Sequence, residues 1–248
     1  MEFLDPFVRM LESVAAPAQI RAIAAGAPIT PLVEAVETSG YFDALVPEER
    51  GGAGLSLAEG FQLLHALGQF LVPAQIAETM VARAVPDSSP ELLRRIGAVT
   101  TAAAISGAAD RVLAITIDYA NQRIQFGKPI AKQQAVQQQL AVMAEQVVMA
   151  RISAQIGCAH GLTPPLEIAA IAKQGASRAA MQIAAIAHGV HGAIGISEAY
   201  DLCLYTRHLN EWRTAHGSES YWAEQLGRAR LASPAITTVD YIRSLARQ

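Results

Sequence analysis

Three short stretches carry side chains able to hold an anion or move a proton. They are Arg123 with Phe126-Gly127-Lys128-Pro129 behind it, the glycine-interrupted run from His188 to Gly195, and His216 ahead of Gly217-Ser218. Arg123 falls in the last turn of a long helical pattern. Its guanidinium is a planar fork of N–H donors that matches a pyrophosphate, and a cation there also complements the negative end of a helix dipole. In His188-Gly189-Val190-His191-Gly192-Ala193-Ile194-Gly195 the glycines let backbone N–H groups approach an anion; a simple helix C-cap accounts for the same residues. His188 and His191 lie three apart on one helical face, with no carboxylate beside them, and read as packing residues. No metal site is expected. A di-metal bundle needs Glu-x-x-His pairs, and none of the 6 histidines has a glutamate three residues before it.

These stretches need helices to position them. Hydrophobic residues make up 52% of the chain and aromatics only 6%, so its apolar content is mostly Ala, Leu, Ile and Val; alanine is the best helix former and lets helices approach closely. The spacing predicts helices over Phe3 to Ala15, Pro31 to Ser39, Leu57 to Leu67 behind a Ser56 cap, and Pro73 to Val85. Gly51-Gly52-Ala53-Gly54 is a loop, and Pro86-Asp87-Ser88-Ser89-Pro90 is a linker. A long helix runs from Pro90 to about Gln125 and ends at Phe126-Gly127-Lys128-Pro129; the next spans about Ala131 to Ala159. A third starts at Thr163-Pro164-Pro165 and continues to about Val190, and a final helix or pair covers Glu219 to Arg247, interrupted at Ser233-Pro234. No strand cluster is expected. The fold class is all-α: an N-terminal helical domain (1–86), then an antiparallel helical bundle (90–248).

Net charge is −3 and no basic run occurs, which sets nucleic acid aside. Cys158 and Cys203 are far apart and form no CxxC pair, as in a reducing compartment. The N-terminus has acids among its apolar residues and reads as no secretory signal, and no uninterrupted apolar run reaches the ~18 residues of a membrane span. A cytoplasmic protein is expected. Charged residues are only 17%, which suggests that other subunits cover part of the surface.

Tyr119-Ala120-Asn121-Gln122-Arg123-Ile124-Gln125-Phe126-Gly127-Lys128-Pro129-Ile130 resembles the acyl-CoA dehydrogenase signature Y-A-x-x-R-x-Q-F-G-x-P-I, with every specified position matched in order. The resemblance implies that Arg123 contacts the pyrophosphate of an FAD held by a neighbouring subunit, and that Phe126 packs near its adenosine end. The family usually continues with Phe-Gln; here only Gln134 of Gln133-Gln134 matches. The glycine run is similar to the family's Gln-x-x-Gly-Gly-x-Gly, whose backbone lies against the flavin phosphates and adenine. Gly192 and Gly195 match, while Gly189 stands for the glutamine and Ala193 for the second glycine. Glu198 to Arg207 resembles a following D-L-x-L-Y-x-R stretch and reads as a helix-surface network. Gly40 to Glu49 and Gly51 to Ser56 resemble the family's N-terminal helical domain.

Two family features are missing. A β-domain normally sits between the helical halves and covers one face of the flavin ring; here only the Pro86–Pro90 linker stands at that junction. Most members also place a glutamate base before a Gly-Thr or Gly-Ser turn near the C-terminus, and His216 occupies that slot. An imidazole titrates near neutrality, so His216 is the candidate base, with Glu211 and Glu219 flanking it. An alternative family position for the base falls near Gly97, where no acid stands; Glu91 lies about two turns earlier. The resemblance implies an FAD-dependent acyl-CoA dehydrogenase-like protein acting on an acyl-CoA. It would work in a homo-oligomer, or in a hetero-oligomer whose partner chain supplies the missing wall and base. The alternative is an inactive assembly subunit that keeps the helical oligomer interface.

Overall fold

The computed structural model describes residues 3–235 and 237–245. Five helices form the N-terminal half: α1 (Leu4–Val14), α2 (Pro17–Ala24), α3 (Thr30–Thr38), α4 (Leu57–Gln69) and α5 (Gln75–Ala84). Residues 85–89 then lead into α6 (Pro90–Gln122), which forms an antiparallel bundle with α7 (Gln134–Cys158) and α8 (Leu166–His191). Helices α9 (Asp201–Thr214), α10 (Glu219–Ala232) and α11 (Thr238–Leu245) complete the chain. Among the described residues the only sheet is a two-stranded hairpin, β1 (Ile124–Gln125) and β2 (Lys128–Pro129), so no β-domain separates the halves.

Local chemistry starts these helices. Ser56 and Glu59 form a reciprocal capping box at α4: the Ser56 hydroxyl accepts from the Glu59 amide, and the Glu59 carboxylate accepts from the Ser56 amide at 2.9 Å. Ser89 caps α6 by accepting from the Leu92 amide, and Pro90 sits in its first turn. One hydrophobic core then runs from Phe7 and Leu11 through Leu64 and Val99 to Trp212 and Trp222. Helices α6 and α8 are each long and apolar enough to cross a membrane. Their alanines, Ala98, Ala102, Ala172 and Ala176 among them, are fully buried against neighbouring helices.

The N-terminal half grips the bundle where α4 crosses α6. A Cβ added at Gly107 would lie 1.9 Å from the His65 carbonyl oxygen, and one at Gly68 would lie 1.9 Å from that of Ala104. The two backbones touch, leaving no flexible side chain to move aside. Gly107→Val is therefore expected to destabilise the fold by about 3 kcal/mol or more, the upper end for overpacking, as read by urea unfolding.

Beside this crossing a polar network ties three helices together. His65 of α4 lies 3.0 Å from the carboxylate of Asp110 on α6, Arg151 of α7 binds the same oxygen, and the other His65 nitrogen lies 2.8 Å from the Ser106 hydroxyl. Burial alone would raise the Asp110 pKa, but the bonds from His65 and Arg151 outweigh it and hold it below the ordinary carboxylate value. A depressed pKa means stability that is present above the unfolded value of about 3.9 and is lost as pH falls through the folded one. Asp110→Asn is expected to remove that part of the acid limb in unfolding curves taken from pH 6 down to about 3.

The structure corrects several expectations. The long helix stops at Gln122, and Arg123 is its C-cap with extended backbone (φ −72°, ψ 115°), beyond the last turn. Ile124 and Gln125 leave as a strand, because the Ile130 amide donates to the Arg123 carbonyl at 2.9 Å and closes a hairpin there. Residues Ile130–Lys132 make a 3₁₀ turn, so α7 starts at Gln134 rather than Ala131. The third bundle helix starts at Leu166, after Pro165, instead of at Thr163. Helix α2 was not foreseen: only Ile20 on it is buried, too little for a periodic signal. The break at Ser233-Pro234 holds, and Arg247 lies outside the described residues.

Candidate functional site

The hairpin after α6 stands out from the bundle end. Ile124 pairs with Pro129 and Gln125 with Lys128, leaving Phe126-Gly127 as a two-residue turn with φ of 53° and 75°. Positive φ at both positions is the type I′ arrangement, which Asn-Gly adopts easily and phenylalanine does not. Phe126 nevertheless sits there, 92% exposed. Strain of this kind clusters where a residue is presented to a ligand or partner. Arg123 at the hairpin base is exposed, and among the described residues no carboxylate pairs with it. Exposed Gln134 opens α7 immediately behind.

The glycine turn meets this hairpin at the same end of the bundle. Buried Ile130 packs with Ala120 and Val190. One turn before Arg123, the Tyr119 ring stacks on His191 at 4.3 Å, and its hydroxyl donates to the His191 carbonyl at 3.3 Å. Gly192 then takes φ 63° and ψ −143°, a conformation that favours glycine, and ends α8. Gly189 and Gly192 are exposed with open space where a Cβ would stand, whereas Gly195 is buried against His191. His188 bonds Thr206 at 3.0 Å and His191 bonds the Ala187 carbonyl at 2.8 Å, so both pack as expected. Their other ring nitrogens, and the Gln133 side-chain nitrogen, are buried without partners. Burial holds the His191 pKa below the ordinary imidazole value. Glu198 pairs with Arg207 at 3.4 Å and Asp201 with Arg21 of α2 at 2.5 Å, a surface network that also fastens the N-terminal half.

His216 lies elsewhere. Its ring faces Gly97, where an added Cβ would come within 2.5 Å of Nδ1. From Gly97 to Arg123 is about 39 Å along α6, at 1.5 Å per residue. Arg123 and His216 of one chain are therefore not brought together. His216 borders a narrow cavity of about 20 Å³, room for about one water. Its walls are Leu64 and Leu67 of α4, Ala77 of α5, Thr100 and Thr101 of α6, and Trp212 of α9.

The His216 turn is held tightly. His216 has φ 55°, and its carbonyl accepts from the Trp222 indole at 3.1 Å. Lys173 of α8 is fully buried and donates to the carbonyls of Arg213 at 2.8 Å and Gly217 at 3.1 Å, and to the Ser177 hydroxyl at 3.0 Å. Burial, partly offset by Glu219, lowers its pKa from 10.5 to about 8. With the folded pKa below the unfolded one, the unfolded chain binds more protons between these values, so stability rises with pH from about 8 to about 10.4. Lys173→Met is expected to abolish that rise, roughly 3 kcal/mol at full development, in unfolding measured from pH 7.5 to 10.5.

Sequence reasoning missed Lys173 and Glu78. A single lysine within the alanine-rich stretch Ile168–Ser177 was a signal available for the first. Glu78, on α5, lies 3.5 Å from His216 Nε2, and no local pattern pointed to it. Of the other acids considered, Glu219 is bound to Arg213 at 2.6 Å, and Glu91 stays exposed on the first turn of α6.

Comparison with known proteins bears on both regions. The family model for the acyl-CoA dehydrogenase C-terminal domain matches residues 95–231, more than half of the 248-residue chain. The acyl-CoA dehydrogenase IpdE2 of Mycolicibacterium smegmatis is 28% identical over 75% of this chain and 80% of its own length. Butyryl-CoA dehydrogenase from Megasphaera elsdenii superimposes with a TM-score of 0.54 at 31% identity, over 57% of this chain and 37% of that one. This chain thus spans little more than a third of that enzyme. A chain of the ChsE4-ChsE5 complex from Mycobacterium tuberculosis superimposes with a TM-score of 0.80 over 94% of this chain and 97% of its own, at 17% identity, a likeness of fold alone.

Proposed function

The chain belongs to the acyl-CoA dehydrogenase family, and we propose that it works as one subunit of a flavin-dependent assembly that oxidises the Cα–Cβ bond of an acyl-CoA thioester. One observation carries this reading: the exposed Arg123–Phe126 hairpin and the open Gly192 turn share one end of the bundle, joined through Tyr119 and His191. A dinucleotide suits these residues. The Arg123 fork would take the diphosphate, the backbone at Gly189, Gly192 and Gly195 would lie along it, Gln134 would add a side-chain contact, and Phe126 would cover the adenosine. The unpartnered nitrogens of His188, His191 and Gln133 leave polar capacity at this end. The long separation of Arg123 from His216 along α6 supports a site completed across a subunit boundary, each chain giving its hairpin to one site and its cleft to another. The fold likeness to a chain from a two-component complex supports a hetero-oligomer as readily as a homo-oligomer. The free cysteines suit a cytoplasmic setting.

A flavin held by Arg123, Gln134 and the glycine turn would supply the hydride acceptor for the substrate β-carbon. The chain supplies the base. Burial lowers the His216 pKa more than Glu78 raises it, and Lys173 and Arg94 lower it further, so the imidazole is neutral near pH 7. It takes the α-proton as the C–H bond breaks, and its electron pair goes to the new double bond. The Lys173 and Trp222 hydrogen bonds to the Gly217 and His216 carbonyls fix the turn that carries the ring. The test is co-purification with a candidate partner dehydrogenase chain: yellow protein that bleaches on adding acyl-CoA supports the proposal, and a colourless complex inert to every acyl-CoA overturns it.

One observation favours the second reading, an assembly subunit without turnover. The cavity at His216 holds about one water, so an acyl group must displace Trp212 or α5 to enter. That reading predicts normal turnover by an assembly whose copy of this chain carries His216→Asn.

A further inference from the structure

The outer face of α7 is apolar and uncovered. Val142, Val148, Met149, Ile152 and Ile156 are all exposed, while Met143, Val147, Ala150 and Ala154 on the same helix are buried. The exposed side is ordered. Gln138, Val142, Glu145, Met149, Ile152 and Ile156, exposed without exception, follow one another at steps of four, three, four, three and four. That alternation is the spacing of helices that pair side by side along a seam. From Val142 to Ile156 the seam is about 21 Å long, at 1.5 Å per residue. Its one charged member is Glu145, near the middle, and among the described residues no ion pair includes it. Resting on the assembly proposed above, we propose that this seam docks an apolar helix of a different chain, one that presents a lysine or arginine to Glu145, and that Glu145 excludes a second copy of this chain.

Charge decides between the two occupants. Two copies of α7 laid antiparallel, with Val142 against Ile152 of the other copy, bring both Glu145 carboxylates into the two middle layers. Laid parallel and in register, Glu145 meets Glu145. Shifted registers set each carboxylate against an apolar side chain. No basic residue of α7 relieves any of these: Arg151, the only one it has, is turned to Asp110 of α6. A buried carboxylate without a partner is costly, and like charges across an interface cost more. An uncharged lipid surface meets the same objection. A base on the opposing helix removes it and sets partner choice. The seam is also well placed for the proposed site. Gln134, one turn before Gln138, opens α7 directly behind the Arg123 hairpin. A helix laid along the seam therefore runs up to that hairpin, where the dinucleotide site needs a second chain.

The experiment is sedimentation velocity of full-length wild type, of Glu145→Lys, and of their equimolar mixture, each repeated with Met149→Glu. The lysine variant turns a second copy into the partner described. The mixture is expected to form a 1:1 pair with a Kd about tenfold or more below that of either protein alone, and Met149→Glu to abolish it. A mixture that sediments as its separate components do overturns the proposal. So does wild type that pairs with itself in a manner lost on Met149→Glu, or that pellets with phosphatidylcholine vesicles. Both substituted positions are exposed, so the variants should fold. A thermal melt checks this, and Glu145→Arg replaces a lysine variant that melts early. The readout needs no flavin, so charge-selected pairing in a protein whose assembly proves colourless upholds the seam and overturns only the enzymatic reading.

Discussion

An assembly in which this chain carries His216→Asn is expected to keep its flavin and to oxidise acyl-CoA about 10²- to 10⁴-fold more slowly, the usual loss on removing a general base. The loss should appear in kcat rather than in KM, because the ring is one polar member of a cavity lining that is mostly apolar. Asparagine keeps a polar side chain of similar bulk but cannot take a proton near neutrality. The wild-type rate should also carry an acid limb. Burial depresses the His216 pKa, so the ring stays neutral until pH falls below the ordinary imidazole value of about 6.5. The His216→Asn residue of activity should lack that limb. A pH–rate profile of both proteins, taken with saturating substrate, checks the two statements together.

Arg123→Ala acts at the other end of the bundle. It is expected to weaken flavin binding by about 10- to 100-fold, the range for losing charge-assisted hydrogen bonds to a phosphate. The fold should be untouched. Arg123 is exposed, and its one contribution to the hairpin is a main-chain carbonyl that alanine retains. Unchanged melting of the flavin-free chain, beside a raised Kd in flavin titration of the assembly, is the expected pair of results. Had Arg123 merely complemented the α6 dipole, its removal would lower the melting point and leave flavin binding alone. The extended backbone at Arg123, outside the last turn, argues against that role.

Much of this was legible in the chain itself, for physical reasons that also set its limit. Alanine-rich periodicity announced α6, α7 and α8, and serine caps and prolines marked where helices begin. The hairpin sequence also fits a helix end, because Phe126-Gly127 satisfies two grammars at once: glycine after a helix, or glycine in a type I′ turn. Only the Ile130-to-Arg123 hydrogen bond distinguishes them, and that bond is a matter of packing on Val190. The signature around Arg123 and the glycines near Gly192 were found because each is contiguous. Glu78 was not, because its partner His216 is brought to it by the α4–α6 crossing and the α9 turn, neither of which has a local signal. Lys173 was overlooked for the same reason: its acceptors are main-chain carbonyls on a different helix end.

The most direct measurement is a titration of FAD into this chain, alone and assembled with a dehydrogenase partner, followed by quenching of flavin fluorescence. Feeble binding by the lone chain, tight saturable binding by the assembly, and loss of the tight phase when Arg123 becomes alanine are the expected results. An assembly that binds no flavin, or binds it equally well without the arginine, would contradict the claim that the hairpin and glycine turn form half of a shared dinucleotide site.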